Sequence, residues 1–509
     1  MTTTRRTLLQ LAGGVTAGAV CSPMPWNFLR DSAMWTQNGP WIPKLPHGEI
    51  TVQATNCTLC PAVCPVSVRC VGKMPVGIWP KGEPMCPAGF VGHHLSAHPA
   101  RLRQALYKGK PVQDIAEVEK RMAAGKIAVL DLAPGRTASY AMRAKLSELP
   151  DSIYIVPPVI EGGTARAIAK LASEPVHLAL DLENTRTVIS IGTPVLDGWA
   201  APKRTVDRKF RLVQVESQRS HTAELADEWI RIDAGGELPF LLGLADVIPL
   251  KAAAEAAGVP LNRLSQLKAE LQNAGTVILA DGDPANGPYP DQIREVAAAL
   301  NIRIGAVGVT GGFQPQRVAP VPADWELVPA HELSEIENAS IEVLVMDDPA
   351  PGTALPWSLV QQKLSPHATV IACTWSAAGA SRHATWQIPA PVYLEAEADA
   401  QPAPDAVETP LHTSAALIAP PEAAKTVLAL LGGDLAAALK ARSEAKATKT
   451  LAAGNLKFEQ PHLSVATASK PVASRVPGWR QAAVSPLLEK LWRESDLKQA
   501  PGTWKEAQA

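Results

Sequence analysis

Short continuous runs of apolar residues alternate with amphipathic stretches between about residues 125 and 433. Each run is five to seven residues long and has the composition of a buried strand; the runs are 126–132, 187–192, 211–216, 276–280, 341–346 and 369–373. A helical periodicity follows the first run at 138–149. Because the runs are apolar throughout and separated by helices, they predict parallel sheets covered on both faces. The pattern therefore predicts a doubly wound α/β protein, in which ligands bind at the carboxyl ends of the strands.

The length, composition and net charge of the chain exclude some classes of function but do not identify one. The chain has 509 residues, of which 46% are hydrophobic and 19% charged, enough for several domains with full-sized cores. The formal net charge of -1 provides no overall field that would attract nucleic acid, so we expect no nucleic-acid partner. No apolar run after residue 20 reaches transmembrane length. We therefore expect a soluble chain, or one held peripherally on a membrane partner.

The N-terminus carries the pattern of an export signal. Arg5 and Arg6 precede an apolar stretch, 8–20, that is too short to span a bilayer. Residues 1–30 resemble a twin-arginine signal peptide, which predicts export of a folded protein to the periplasm. A basic N-terminus that arose by chance is the alternative. Cys21 raises the further alternative of a lipid anchor, although Val20 before it is not the small residue that a lipobox requires.

Five of the seven cysteines fall within residues 57–86. Cys57, Cys60 and Cys64 are spaced as C-x2-C-x3-C, and Cys86 follows after 21 intervening residues. Thiolates at such spacing can hold one side of an iron–sulfur cluster, while a distant cysteine closes the site. Prolines in the loop keep it out of a helix and leave backbone N–H groups available to the sulfurs. The spacing predicts a [4Fe–4S] cluster on these four cysteines.

Two other uses of these cysteines stay open. A zinc site would usually show two C-x2-C pairs, and only one is present. Disulfides can form after export, but Cys70 makes the number of cysteines in this segment odd. In the cluster interpretation Cys70 is a spare thiol. Cys373 lies in the apolar run 369–373, which indicates a buried core thiol rather than a ligand.

From Cys57 onward the chain resembles the molybdopterin oxidoreductase family. Large subunits of that family open with C-x2-C-x3-C, a longer gap, Cys-x-x-Gly and then Pro-x-Arg-Leu; here the last two are 86–89 and 99–102. The resemblance implies an iron–sulfur domain over 50–110, followed by doubly wound α/β domains over 111–440. It implies one [4Fe–4S] cluster with the ligands Cys57, Cys60, Cys64 and Cys86. Two departures are the short gap before Cys86 and Ala88, where many members have a lysine that bridges cluster and pterin.

Further family-like segments follow the predicted strands, at 192–198, 215–223, 226–237, 311–313 and 347–350. In the family the second segment usually contains Asp-Pro-Arg, whose acid binds a guanosine ribose. Glu216 stands in the place of that acid here, and Asp348 stands where asparagine is usual. The ordinary alternatives are a tight turn at each glycine and solvated side chains at Glu216 and His221.

The residues that would hold a catalytic metal are missing from their expected place. Active members supply Cys, selenocysteine, Ser or Asp from a loop that corresponds to 157–165, and this stretch contains neither Cys nor Ser. We expect Glu161 to cap the following helix, because a carboxylate stabilises a helix N-terminus; metal ligation by Glu161 or Thr164 is the alternative. The resemblance therefore implies a degenerate member, with no catalytic residue assigned and no bound Mo-bis-MGD expected.

The end of the chain also departs from the family. Active relatives end in a β-barrel domain, and we expect that this C-terminal domain is absent here. Residues 441–509 are rich in Ala, Ser, Lys and Pro, a composition that does not bury a core. We expect an extended tail that is flexible or lies along a partner subunit, with Trp479, Leu488 and Trp492 as anchors.

The expected function is electron relay rather than substrate catalysis. Degenerate members of the family occur in bacterial quinone oxidoreductases, such as alternative complex III and menaquinone reductase complexes. By that resemblance the partners would be a ferredoxin-like iron–sulfur subunit, a quinone-binding integral membrane subunit and a multihaem cytochrome c. We expect the chain on the periplasmic side of the cytoplasmic membrane. The alternatives are an active Mo/W-bis-MGD oxidoreductase and a non-redox scaffold subunit.

Overall fold

A computed structural model describes residues 4–21, 47–82, 84–197, 199–200, 208–283, 287–349, 355–446, 456–461 and 463. Its α-helices are Arg5–Cys21, Pro87–Val91, Ala116–Ala123, Thr137–Ser147, Gly163–Ala169, His221–Leu225, Glu237–Leu244, Leu250–Ala257, Leu261–Glu270, Asp291–Arg303, Trp357–Gln361, Val427–Leu430 and Leu435–Glu444. The 3-10 helices are Gly92–Ala97, Leu333–Glu335 and Gly379–His383. Within the described ranges, none of the helices combines the length and the apolarity that crossing a membrane requires. Residues 22–30 of the expected signal peptide lie outside these ranges, and the export signal stays a prediction.

The larger sheet has eight strands, six of them parallel, with an antiparallel hairpin at one edge. In spatial order the strands are Ala330–Glu332, Ile153–Val156, Ala128–Asp131, Ile341–Asp348, Leu364–Thr374, Trp386–Pro389, Ala105–Tyr107 and Lys110–Val112. Val129 and Val345 pack with Met142 of a covering helix on one face, while Leu130 and Leu344 pack on the other. Burial on both faces explains why the central strands of this sheet are rich in apolar residues.

The smaller sheet has four parallel strands. In spatial order they are Glu228–Arg231, Arg211–Glu216, Thr187–Ile191 and Thr276–Leu279. Ile189 and Val213 belong to the core on one face, and Val188 and Leu212 to the core on the other. All six predicted apolar runs form strands of these two sheets, which also contain six strands that were not predicted. The prediction of a doubly wound α/β fold is confirmed.

A separate three-stranded antiparallel sheet carries the cysteine segment. Its strands are Ile50–Asn56, Pro65–Val71 and Met74–Pro80. The C-x2-C-x3-C loop connects the first two strands, whose ends meet where Asn56 pairs with Pro65. Val66, Val68 and Ile78 point inward and form an apolar base beneath the loop. The remaining pairs are Leu178–Leu180 with Phe313–Pro315, Gly282–Asp283 with Gly287–Pro288, Arg317–Val318 with Glu408–Thr409, and Ala398–Asp399 with Thr413–Ser414.

Part of the chain beyond residue 440, where the extended tail was expected to begin, packs against the protein itself. Helix Leu435–Glu444 extends past that boundary. Residues 456–461 then run beside Leu171 and Ser173, with backbone hydrogen bonds of 2.8 Å on either side. Phe458 packs into the apolar core of the smaller sheet, and this contact holds the segment to its own chain. The expected anchors Trp479, Leu488 and Trp492 lie outside the described residues.

Candidate metal centre and the central cleft

Backbone hydrogen bonds close the cysteine loop at two points. The N–H of Cys57 donates to the carbonyl of Cys64 at 2.8 Å, which joins the first and third cysteines of the motif. Inside this closure the N–H of Val63 donates to the carbonyl of Cys60 at 3.3 Å. Val63 has a φ of 42°, a left-handed conformation that costs energy for a β-branched residue. Such strain is kept where the surrounding structure requires it, and here it turns the chain between two cysteines.

The structure brings the four predicted ligands to one place. Cys57 and Cys64 are buried, with 4% and 5% of their surface exposed, while Cys60 and Cys86 are partly exposed. Cys60 is in electrostatic range of the other three thiols, and Cys57 is in electrostatic range of Cys64 and Cys86. Gly89, in the short helix that follows Cys86, lies so close that a Cβ there would be 3.6 Å from the Cys57 sulfur. The 21-residue gap in the sequence is therefore closed in space.

Two other cysteines whose side chains the structure describes, Cys70 and Cys373, are not placed as ligands with these four. Cys70 is buried on a strand beneath the loop, and burial alone raises the pKa of its thiol, with no contribution from the other cysteines. Cys373 is fully buried in the larger sheet, so the prediction of a core thiol is confirmed. Neither residue forms a disulfide, and no disulfide links the cysteines between 57 and 86.

Burial keeps two of the candidate ligands, Cys57 and Cys60, neutral in the chain alone. It raises the pKa of Cys57 to about 11 and that of Cys60 to about 12. Backbone N–H groups of Leu59 and Ala62 donate to these two sulfurs and partly offset the burial. Thiolates gathered in such a site need a positive partner, and iron supplies it because metal coordination deprotonates thiols. The four cysteines therefore fit an iron–sulfur cluster, whose iron ions supply the positive charge that the thiolates need.

Among the described residues, no three His, Cys, Asp or Glu side chains are placed to share a single metal ion. A zinc ion needs four donors at about 2.0–2.3 Å from one point. A [4Fe–4S] cluster instead takes one cysteine for each iron, so its ligands surround a larger object. The assignment of the four cysteines to a cluster stays a prediction.

Tyr393 covers the cysteine loop on the side that faces the larger sheet. It belongs to the same apolar group as Cys57 and Cys64, and only 7% of its surface is exposed. Gly92 makes room for the ring, since a Cβ there would come within 3.1 Å of it. The phenol hydroxyl has no hydrogen-bond partner among the described residues.

A cleft of about 460 Å³ separates the cysteine loop from the carboxyl ends of the strands of the larger sheet. Cys60 lines one side, and Asp347 and Glu161 line the other. This is where parallel sheets bind ligands, as the strand pattern predicted. The walls are formed by residues 58–61, 132–136, 157–161, 390–393 and 398–401, among others.

Comparison with known proteins gives the fold a context. No family model matches the chain. Its sequence is 25% identical over 379 residues to the menaquinone reductase molybdopterin-binding-like subunit of Nitratidesulfovibrio vulgaris. The match covers 63% of this chain and 54% of that protein, so the chain spans about half the length of this relative.

Its structure is similar to acetylene hydratase from Pelobacter acetylenicus, a member of the molybdopterin oxidoreductase family. The TM-score is 0.55 at 14% identity, over 77% of this chain and 69% of the other. The chain has the molybdopterin oxidoreductase fold. The family resemblance that the sequence predicted is thus confirmed.

In this molybdopterin oxidoreductase fold, a buried ionic network occupies the strand ends below the cleft. Arg136 donates to Asp347 at 2.6 Å and to Asp131 at 3.2 Å. The Asp131 carboxylate also accepts hydrogen bonds from the hydroxyls of Ser139 at 2.5 Å and Tyr154 at 2.7 Å. The acids at this position are therefore paired with donors of the chain itself.

Glu161 does not cap the helix that follows it, contrary to the sequence expectation. Helix Gly163–Ala169 is capped by Asp281, which lies at the end of a strand in the smaller sheet. Its carboxylate accepts hydrogen bonds from the N–H groups of Gly162 and Thr164, each at 2.7 Å. The local sequence favoured Glu161, but Asp281 approaches from 117 positions away and takes the cap. Glu161 is left facing the cleft.

Glu216, the acid expected to bind a nucleotide ribose, is already hydrogen-bonded within the chain. Glu216 is buried, and its carboxylate accepts from the N–H of Ser220 at 2.8 Å and from the amide of Gln214 at 2.9 Å. His221 stays exposed, 3.8 Å from the carboxylate of Asp197. Glu216 thus stabilises the turn before the next helix, and a ribose would have to compete with these bonds.

Glu161 is expected to make the protein less stable as the pH rises through the neutral range. Burial, with Asp281 and Asp405 nearby, raises its pKa from 4.5 to about 7, although the N–H of Ala200 opposes this. Because the folded state binds the proton more tightly, its contribution is complete below about pH 4.5 and is lost by about pH 7. The side chain is partly exposed, so we expect about 2 kcal/mol rather than the full value of the shift.

Urea unfolding at pH 5 and pH 7.5 measures this contribution. Glu161→Gln is expected to reduce the pH dependence, whereas Glu174→Gln at an exposed site should leave it as it is in the natural protein. Equal pH dependence in all three proteins would contradict the assignment.

Proposed function

We propose that the chain is an iron–sulfur electron-transfer subunit of a membrane-associated quinone oxidoreductase complex on the periplasmic side. The observation that carries the proposal is the convergence of Cys57, Cys60, Cys64 and Cys86 on a closed loop with an apolar base. The similarity to the menaquinone reductase subunit supports a place in a multisubunit quinone-linked complex. The carboxylates at the strand ends are already hydrogen-bonded within the chain, which supports electron relay rather than substrate catalysis.

The four cysteines would hold the cluster, which supplies one-electron transfer when bound. The N–H groups of Leu59 and Ala62 stabilise negative charge on two of the sulfurs. Tyr393 and the apolar base exclude water from the buried side, and the partly exposed Cys60 and Cys86 leave a side for exchange with a partner. The proposed partners are a ferredoxin-like iron–sulfur subunit, a quinone-binding membrane subunit and a multihaem cytochrome c.

Loss of substrate catalysis is part of the proposal. Asp131, Asp347, Asp281 and Glu216 lie at the ends of strands, where active members would bind their cofactor. Asp131, Asp281 and Glu216 each accept at least two hydrogen bonds from the chain, and Asp347 accepts one from Arg136. Breaking such buried bonds to bind another group costs about 1–3 kcal/mol for each one lost.

Metal analysis of the purified complex tests this function. We expect about four iron atoms per chain beyond those of the partner subunits, with the broad visible absorbance of an iron–sulfur cluster. Zinc without iron in the isolated chain would overturn the proposal and leave the scaffold function.

The cleft favours a second candidate, an active molybdenum or tungsten oxidoreductase. About 460 Å³ of space lies at the strand ends, and Glu161 faces it as an oxygen ligand. Stoichiometric molybdenum or tungsten together with guanine nucleotide in the purified protein would decide for this candidate. Their absence from a preparation that retains its iron would decide for the relay.

A further inference from the structure

The hydroxyl of Tyr393 is a buried hydrogen-bond donor without an acceptor. It is enclosed between the cysteine loop and the larger sheet, and no described residue accepts from it. A buried hydroxyl that leaves water without finding a partner costs as much as a lost hydrogen bond, so such groups call for an explanation. Tyr393 packs in one buried group with Cys57 and Cys64, and these two thiols are in electrostatic range of the phenol, so the sulfurs are candidate acceptors.

Several contacts fix the loop that carries Tyr393. Glu395, two residues later, accepts from the N–H of Val392 at 3.0 Å and from the buried guanidinium of Arg101 at 2.6 Å. Leu394 has a φ of 69°, a left-handed conformation that a bulky residue adopts only when its surroundings require it. The ring therefore stands on a short loop fixed from both sides.

The carbonyl of Leu394 adds a second support. It accepts from the N–H groups of Leu417 at 2.7 Å and Ile418 at 2.9 Å, and both side chains pack against the cysteine group. Gly92 provides the space that the ring fills. A tyrosine that served only as apolar filling would not need its hydroxyl, and phenylalanine would fit the same space without an unpaired donor.

We propose that the Tyr393 hydroxyl donates a hydrogen bond to a sulfur of the cluster on the side of Cys57 and Cys64 and thereby raises the reduction potential of the cluster. The inference rests on the proposed function, because the acceptor belongs to the cluster. Reduction adds one electron from the redox partner and makes the cluster more negative, so a donor at its sulfur stabilises the reduced form more than the oxidised form. Tyr393 is thus a tuning residue, and it also lines the cleft.

Tyr393→Phe in the intact complex tests the inference. The substitution removes one oxygen and keeps the ring, so iron content should be unchanged. We expect the ratio of reduced to oxidised cluster at a fixed potential to fall about tenfold, which corresponds to about 59 mV for a one-electron couple. The measurement is a redox titration followed by electron paramagnetic resonance of the reduced cluster.

Tyr107→Phe is the matched control. Tyr107 packs on Trp386 in the edge hairpin, with ring centroids 4.5 Å apart, and does not interact with the cysteines. The same loss of an oxygen atom there should leave the potential unchanged. After exchange into heavy water, electron–nuclear double resonance should show a deuteron coupling in the natural protein and in Tyr107→Phe beyond those of the Leu59 and Ala62 amides, and this additional coupling should be missing from Tyr393→Phe.

The outcomes separate this inference from the function on which it rests. An intact complex whose chain lacks iron would overturn the relay function and this inference together. Normal iron with the same potential and the same deuteron signal in Tyr393→Phe would overturn the inference alone. If Tyr393→Phe lost iron, Tyr393→Trp, which keeps an N–H donor on an aromatic ring, should restore iron; failure to do so would show a packing role and overturn the inference.

Discussion

Replacing Cys60 by serine is expected to remove most of the iron from the protein. A serine hydroxyl stays protonated where a thiol gives up its proton to iron, so one corner of the cluster loses its ligand. Cys60 is the member of the motif that both lines the cleft and interacts with the other three thiols. We expect the iron of this chain, counted beyond that of the partner subunits, to fall severalfold, measured by metal analysis of the purified complex.

Cys70→Ser is the matched control, since Cys70 lies in the same segment but outside the converging group. It should keep its iron even if the buried hydroxyl costs stability, because Cys70 packs in the strand beneath the loop. Iron that survives in Cys60→Ser, or that is lost equally in both variants, would contradict the ligand assignment.

Replacing Arg101 by methionine is expected to destabilise the protein by about 3–5 kcal/mol. Arg101 and Glu395 form an ion pair at 2.6 Å with side chains that are 0% and 2% exposed. Removing one partner leaves an uncompensated charge in the interior, which costs far more than the pair itself contributes. The midpoint of urea-induced unfolding measures the loss.

Two comparison proteins make this test specific. Arg121→Met breaks an exposed pair with Glu117 on one helix, and its cost should stay below about 1 kcal/mol. The double variant Arg101→Met with Glu395→Met removes both charges, so most of the stability should return. If the double variant were as unstable as Arg101→Met, packing of the guanidinium rather than charge would be responsible.

The strands could be predicted because their signal is local. The run 211–216 became the strand Arg211–Glu216, and 276–280 became Thr276–Leu279, since continuous apolar residues identify strands buried on both faces. The cysteines could be recognised as a group for the same reason, because three of the four lie within eight residues. The short edge hairpin at Ala105–Tyr107 and Lys110–Val112 carries no such run and was not predicted.

The rest depends on contacts between residues that are far apart in the chain. Asp281 takes the helix cap that local sequence assigned to Glu161, and Arg101 meets Glu395 across 294 positions. A role for Tyr393 can be inferred only from its packing against the cysteine loop, which the sequence does not show. Such pairings are set by how the sheets pack, and no periodicity or spacing in the sequence records them.

A chemist who wished to install a working metal in the cleft would have to do more than add one ligand. Arg136 binds Asp131 and Asp347 at the same time and so ties two neighbouring strands together, while Asp281 anchors helix Gly163–Ala169, which packs in the core of the smaller sheet, to a strand end of that sheet. If any of these acids became a metal ligand, the contact that it makes between neighbouring elements would be weakened. A new metal site would therefore need other interactions to hold together the elements that these ion pairs and hydrogen bonds now connect.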